Sequence, residues 1–368
     1  ATIDDESYFP EHITTPPVLS ANHRPFQVRK LIDDSSSCKW DSYVTQHPAS
    51  CAYHRYQFKK IIENSFAHAT CYFAAFDESD DIVGIFPLVH TKSKLFGNYL
   101  TSMPYFNYGG PLADNARIET QLIHYAKEYA SQQDATHIES RESQQRTKTP
   151  VKTDKISMFL ALPEHPDRLW RAIGTKVRAQ IKKGQKNDFS FKVGGADLLN
   201  AFYKVFSTNM RDLGTPVYGK SFFSDLLSNL KGNAHLCVLY HGSKPVSCAF
   251  LIGHKDTLEI PWASTLRTAI SKNANMVLYW NVLRFSIEQK YHFFDFGRSS
   301  KDASTYKFKK QWGAKQAPLY WHYWLKDDSE LPQLNPNNPK YAFVIWLWKK
   351  LPILVTTIIG PLLARSLP

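Results

Sequence analysis

The sequence predicts a mixed α/β (α+β) protein made of two tandem units with the same order of elements, followed by a helical tail. Three observations carry this. The 368 residues, 43% hydrophobic and 14% aromatic, are enough to fill two ordinary cores. Two stretches repeat one string of elements: two helices, an antiparallel hairpin with a third strand, a long helix and a further strand. The last stretch, Tyr341 to Leu363, is apolar but broken by Lys349, Lys350 and Pro352.

Residues 1–25, acidic and then Pro-rich, read as an extended segment. In the first domain, 26–150, Trp40 to Gln46 and Tyr53 to Asn64 supply the leading helices. Cys71 to Asp77 and Ile82 to Val89 read as strands around an Asp80-Asp81 turn. Tyr99 to Pro111 adds a strand and a Gly-Gly-Pro turn, Glu119 to Ala130 a helix and His137 to Ser140 a strand. QQRTKTPVKT, 144–153, is polar, basic and proline-interrupted, and marks the boundary.

The second domain, 151–328, opens on the strand Ile156 to Leu162, and the helices Asp197 to Leu213 and Ser221 to Leu230 follow. His235 to Tyr240 and Val246 to His254 form the hairpin and Leu258 to Thr265 the third strand. The helix Asn275 to Gln289 and the strand Tyr291 to Phe296 close the string. The interval from Leu122 to Ile138 equals that from Leu278 to Phe294. Both closing strands present an acid and an Arg, Glu139 with Arg141 and Asp295 with Arg298. Helices before an antiparallel hairpin, then a helix crossing to a further strand, are the pattern of the GNAT acyltransferase fold.

Net charge is +12, from 45 Lys and Arg against 33 Asp and Glu. Such a surface attracts phosphates, nucleic acid or anionic lipid headgroups, unless the cations are scattered and serve only solubility. The five cysteines, Cys38, Cys51, Cys71, Cys237 and Cys248, form no C-x-x-C pair and read as free thiols of a reducing compartment. The N-terminus has no positive or apolar signal region, so a cytoplasmic protein that has lost its initiator Met is expected. Fourteen histidines show no metal-ligand spacing, so no metal is expected. G-x-S-x-G and Walker A motifs are absent.

The tail, 329–368, is not a spanning segment, because Lys349 and Lys350 at bilayer depth would cost a few kcal/mol each, roughly, on the insertion scale. Two readings remain. It docks on the protein's own surface, or it lies in the interface of an anionic membrane with both lysines toward headgroups, peripheral at the inner face of the cytoplasmic membrane.

Three motifs carry candidate chemistry. FFDFGRSSKDASTYKFKKQWG, 293–313, reads as a buried strand broken by Gly297, where Arg298, Ser299 and Ser300 leave the sheet. Its helix, from Asp302 to Trp312, puts Phe308 and Trp312 on one face and Tyr306, Lys309 and Lys310 on the other. In DRLWRAIGTKVRAQIKKGQK, 167–186, Trp170, Ile173, Val177 and Ile181 form an apolar stripe. Lys176, Arg178, Lys182 and Lys183 have no acid between Arg168 and Asn187 to pair with. That favours a phosphate-binding face over a merely solvated one. Gly174 marks a break before the basic helix. NMRDLGTPVY, 209–218, ends a helix at Leu213-Gly214, with Arg211 and Asp212 beside a loop. YFNYGGP, 105–111, brings Tyr105, Asn107 and Tyr108 to a glycine loop, either to bind substrate or simply to pack. Trp262, in the third strand of the second domain, is a further substrate-binding candidate.

Taken together, K-x-R-x-x-I-K-K (176–183), RDLGTPVY (211–218), DFGRS…Y-K-F-K-K-x-W-G (295–313) and the tail N-P-K-Y…W-K-K-L-P…G-P-L-x-A-R-x-L resemble the Fem-like family. This family includes peptidoglycan-bridge aminoacyltransferases and the FemAB-like proteins associated with exosortase systems. The likeness runs from Phe26 to the end. It implies tandem GNAT-like acyltransferase domains with a central cleft and N-acyl or aminoacyl transfer to a cell-envelope or exopolysaccharide-related amine. Two features depart from it. There is no room for the long helical hairpin that tRNA-using Fem ligases often carry. RTAISKNANM (267–276) stands where a CoA enzyme has its glycine-rich pyrophosphate loop.

No covalently bound cofactor is expected, and the donor stays open among aminoacyl-tRNA, acyl-carrier protein and acyl-CoA. Lys307, Lys309 or Lys310 can stabilise charge, with Tyr306 as acid. Asp295 or Asp212 orients or deprotonates the amine, and Tyr218, Arg178, Lys182, Arg298 and Ser299 hold phosphorylated substrate. The alternatives are a carrier-protein- or CoA-dependent N-acyltransferase, and an inactive binding module of envelope polysaccharide assembly.

Overall fold

The structure, a computed structural model, describes residues 8–20, 25–93, 97–300, 303–326, 331–332 and 339–367. In chain order the first elements are α1 Glu11–Thr14, β1 Val18–Ser20, β2 Phe26–Lys30, α2 Ser37–Gln46, α3 Gln57–Phe66, β3 Ala69–Asp77 and β4 Ile82–Ser93. β5 Gly97–Thr101, β6 Leu112–Asn115, α4 Ala116–Gln132, β7 His137–Glu142 and β8 Val151–Lys152 follow. Next are β9 Lys155–Ala161, α5 Pro166–Ala172, α6 Thr175–Gln185, β10 Phe189–Gly194, α7 Leu199–Leu213 and α8 Lys220–Asn229. The chain continues with β11 Ala234–His241, β12 Lys244–His254, β13 Thr257–Thr265, α9 Arg267–Ile270, α10 Ala274–Glu288 and β14 Phe293–Ser300. It closes with α11 Ser304–Lys310, β15 Lys315–Pro318, β16 Tyr320–Leu325, α12 Pro339–Trp348 and α13 Ile353–Ala364.

Two units result, residues 1–157 with 317–332 and 366–368, and residues 158–316 with 333–365. The expected second domain, 151–328, is therefore corrected near its end. β16 leaves it to pair antiparallel with β7, Tyr320 opposite Glu142 through Leu325 opposite His137. The apolar and aromatic run YWHYWL fits a strand between two neighbours, and β8 takes its other edge. The N-terminal segment is corrected as well. Residues 11–14 are helical and β1 pairs parallel with β6.

Among the described residues the first unit holds a nine-stranded sheet in which β4 pairs with β3 along one edge and divides its other edge between β6 and β5. α4 packs on it through Ile118, Leu122 and Ala126 at helical spacing, against Phe73, Phe86 and Leu100. Asn115 fixes where α4 starts, its Oδ1 accepting the Ile118 N–H at 2.9 Å.

In the second unit the sheet order is β10-β11-β12-β13-β14-β9-β15. Its core centres on Phe202, Phe206, Phe223 and Phe250, whose rings meet at 4.9 to 5.9 Å. Burying a side chain of this size contributes about 1.5–3 kcal/mol. Gly174 separates α5 from α6, as expected. Ile173, Val177 and Ile181 are buried, and Trp170 meets Trp280 of α10 at 4.9 Å. The α6–α10 crossing is close because Gly184 lies in it. A β-carbon there would stand 2.5 Å from Val277 Cγ2.

Candidate functional site

The site of the second unit is made by two strands that part. β13 and β14 run parallel only from Thr257 opposite Phe293 to Glu259 opposite Asp295. Beyond that pair β13 bulges. Its register against β12 slips between Ile252–Glu259 and Phe250–Trp262, and Pro261, which has no N–H to give a ladder, lies within the slip. β14 turns at Gly297, whose φ of +72° suits glycine. The expected break at Gly297 is thus a bend. The strand continues to Ser300, and Tyr291 lies before its start.

Glu259 and Asp295, side by side at the parting point, are both buried. Burying two carboxylates needs compensation. Asp295 Oδ1 accepts the N–H of Gly297 at 2.7 Å. Lys309 Nζ donates to the carbonyls of Gly297 and Arg298 at 2.8 and 2.9 Å. Burial pushes the Lys309 ammonium down to about 8, against the opposing pull of Asp295 and Glu259 and with a further push from Arg298.

Lys309 corrects the face assignment of its helix. It is buried together with Trp312 rather than aligned with exposed Lys310. Positions 309 and 312 are three apart and share a side, so helical spacing groups Lys309 with the apolar face. Phe308 meets Tyr279 edge-on at 4.8 Å. Asp302, the expected first residue of the helix, lies outside the described residues, and the helix begins at Ser304. Tyr306 is half-buried with Lys310 Nζ 5.8 Å from its ring centroid, and Lys307 is exposed. Ser299 is buried, and its Oγ has no hydrogen-bond partner among the described residues.

Other predicted residues are held elsewhere. Arg211 Nε binds Asp212 Oδ1 at 2.7 Å, and its Nη1 binds the Leu351 carbonyl at 3.0 Å. Asp212 also faces Arg267 Nε at 3.9 Å. Asp212 thus lies between two guanidinium groups. Tyr218 and Trp262 do come together, ring centroids 6.1 Å apart, in the aromatic cluster of Phe222 and Phe223.

On α6, Arg178 turns back to the end of α5, donating to the carbonyls of Trp170 and Arg171 at 3.2 Å. It thereby meets orphan carbonyls at that helix end. Lys182, 5.9 Å from the Trp170 ring centroid, and Lys176 and Lys183 remain exposed. At the start of α10, Asn273 adopts φ +57°, and its carbonyl accepts from Met276 and Val277. Residues 267–276, leading into that helix, contain no glycine.

The first unit repeats the parting geometry with a different filling. β5 and β7 are parallel only at Leu100–Ile138 and Thr101–Glu139. Loop 102–111 then runs beside β7, Ser102 N–H to the Glu139 carbonyl and Gly109 N–H to that of Arg141. Glu139, the counterpart of Asp295, is tied to Arg141 Nε at 2.8 Å and to the Tyr323 hydroxyl at 2.6 Å. Tyr105 is packed rather than open to ligand, its hydroxyl 2.9 Å from His68 Nε2 and its ring 4.0 Å from that of Phe66. Asn107 is buried too, while Tyr108 lines a pocket with His12, Gly110, Arg141 and Glu142.

Sequence reasoning missed two residues of that pocket, Cys51 and His54. Their C-x-x-H spacing on a helical turn was the available signal. His54 Nε2 lies 2.9 Å from the Gly110 carbonyl, which makes that nitrogen the donor. Nδ1 then accepts the Cys51 N–H at 3.0 Å, with Sγ at 3.2 Å. The pair caps a turn and fixes the pocket wall.

Two sheets that each part after a short parallel pairing, with a helix crossing between the parting strands, define tandem GNAT-type units. Residues 172–310 match the acetyltransferase (GNAT) domain family, a segment that contains the whole Glu259–Asp295–Lys309 cluster. The fold is similar to that of FemX, with 13% identity over 86% of this chain and 100% of that one, at a TM-score of 0.62. It is also similar to the C-terminal domain of a putative lysylphosphatidylglycerol synthetase from Agrobacterium fabrum (12% identity, 80% and 93% covered, TM-score 0.54). A tandem GNAT protein from the clavulanic acid biosynthesis pathway gives 12% identity, 84% and 100% coverage and a TM-score of 0.51. No curated protein sequence matches. The fold is that of Fem-like tandem GNAT proteins, and the domain match supports an acyltransferase.

Proposed function

We propose that the protein forms an amide by transferring an acyl or aminoacyl group to an amine of a cell-envelope or exopolysaccharide-related acceptor, with the second unit carrying the chemistry. The observation behind this reading is the buried Glu259–Asp295 pair with Lys309 at the point where β13 and β14 part.

Amide formation requires a neutral amine, a charge to meet the tetrahedral oxyanion and a proton for the leaving group. Asp295 takes the amine proton as the nitrogen–carbonyl bond forms. Lys309, as ammonium beside the two acids, faces the developing negative charge. Tyr306 supplies the leaving-group proton. Arg298 and the exposed Lys176, Lys182 and Lys183 hold phosphate on the donor or acceptor. A donor on a carrier that presents negative charge, tRNA or an acidic acyl-carrier protein, suits this surface better than free CoA, for which α10 offers no glycine loop.

The test is mass spectrometry of ligands retained by the purified protein, then thermal-shift titration with CoA, acyl-carrier protein, charged tRNA and nucleotide-sugars. The expected result is stabilisation by one acylated carrier and amide product, with turnover lost in Asp295→Asn while carrier binding stays. Product formation unchanged in both Asp295→Asn and Lys309→Met would overturn the reading. Carrier binding without any turnover would move it to the binding-module alternative.

A further inference from the structure

The α12–α13 tail has one face that the protein covers and one that it does not. Ile345 and Lys349 lie against Gly214 at the end of α7, and Gly360 lies against Val217. Trp348, Thr356 and Ala364 are buried, and Arg211 clamps the connecting turn through the Leu351 carbonyl. The inner stripe of α13, Thr356, Gly360 and Ala364, is small and spaced by four, which allows this close seat.

The outer face is large and apolar. Phe343 is 67% exposed, Trp346 56%, Leu354 72%, Ile358 64% and Leu362 63%. An apolar patch of this kind on a water-facing surface marks an interaction site. Its chemistry narrows the occupant. Residues 331–368 contain no Asp or Glu but include Lys340, Lys349, Lys350 and Arg365, and Lys349 and Lys350 sit between the two helices. A segment that offers an apolar sheet of side chains together with cations and no acid of its own is complementary to acyl chains below anionic headgroups. An apolar protein partner would not call for the cations. With α12 of 10 residues and α13 of 12, neither helix can span a bilayer, and no helix among the described residues is long and apolar enough to do so.

We infer that the outer face of the α12–α13 hairpin docks in the interface of an anionic membrane, its apolar side chains among the acyl chains and Lys349 and Lys350 at headgroup level. This surface stands on its own geometry, whatever donor the second unit uses.

The experiment is flotation of the full chain with phosphatidylcholine vesicles, with and without phosphatidylglycerol, at low and high salt. The chain is expected to float with the anionic vesicles and to release as salt rises. The Leu354→Ser/Ile358→Ser double variant alters only exposed side chains. It should lose binding about tenfold or more at an unchanged melting temperature. Lys350→Gln should lose roughly fivefold. A readout without mutation comes from brominated lipids, which should quench tryptophan fluorescence of the wild-type chain. Absence of both flotation and quenching overturns the inference, as does binding indifferent to the double variant. A dimer in sedimentation velocity that the double variant dissolves would assign the face to a second copy instead.

Discussion

Lys309 reaches back along its chain to the carbonyl oxygen of Gly297, 2.8 Å away, and holds the bend of β14 beside the Asp295 carboxylate. A cation is thereby placed where a neutral side chain would bury more easily. Folding brings its pKa from the ordinary 10.5 down to about 8, so below about pH 8 the folded state bears the cost of a buried charge. Between about pH 8 and 10.5 the folded chain releases a proton that the unfolded chain keeps, and stability rises with pH. Relative to Lys309→Met, the wild type should therefore gain stability across that window, by up to about 3 kcal/mol. Urea denaturation of both proteins at pH 7 and 10 measures it. Parallel curves would sink the assignment.

The two equivalent acids predict opposite mutational behaviour. Burial raises the Glu139 carboxyl, but the Arg141 charge and the Tyr323 hydroxyl outweigh this and hold it below its ordinary value. Its contribution is present above the unfolded pKa and is lost as pH falls through the depressed one. Glu139→Gln should cost about 3–5 kcal/mol at neutral pH by leaving Arg141 buried without its counter-charge. Asp295→Asn should instead lower turnover by roughly a hundredfold or more, as expected of a lost general base. A melting curve and an activity assay on both variants separate the roles. Equal loss of stability in both would mean that the second unit's acid is also structural.

Much of this was legible in the sequence, because periodicity and turn chemistry are local. The matching intervals from Leu122 to Ile138 and from Leu278 to Phe294 placed the two closing strands. The Lys349–Pro352 interruption placed the break between α12 and α13. What stayed hidden depends on partners far along the chain. β16 belongs to the first unit because β7 needs a neighbour, and nothing in YWHYWL names that strand. The sequence does not show that the Arg178 and Arg211 guanidiniums donate to backbone carbonyls, those of Trp170 and Arg171 and that of Leu351, because only the fold brings these acceptors within reach. Lys309 was assigned to an exposed face because lysine is rarely buried, and only the bend at Gly297 offers its ammonium two carbonyls.

The crossing of α6 over α10 gives a test of packing alone. At Gly184 an added methyl would stand 2.5 Å from Val277 Cγ2 and 3.1 Å from the Asn273 carbonyl oxygen, and the backbone atom cannot rotate away. Gly184→Ala should destabilise by about 1–3 kcal/mol, less the small gain in helix propensity. Gly184→Ala/Val277→Ala should recover part of the loss, since it removes the first clash and leaves the second. Chemical denaturation of the four-member cycle reads the coupling, and strict additivity would refute the contact.

Arg211 ties α7 to the tail through one charged hydrogen bond, and its loss should be felt locally. The guanidinium meets Asp212 and the Leu351 carbonyl at once, so Arg211→Ala also leaves Asp212, among the described residues, with the Arg267 guanidinium at 3.9 Å as its remaining ion-pair partner. A charge-assisted bond of this kind is worth about 1.5–3 kcal/mol. The hairpin it clamps carries trypsin sites at Lys349 and Lys350, next to the clamped turn. Local opening should rise by roughly tenfold or more, and cleavage there should accelerate in proportion, while the sheet of the second unit melts little changed. If tryptic cleavage at 349–350 keeps its wild-type rate in Arg211→Ala, the tail is held by its small-residue stripe on Val217 and not by this clamp.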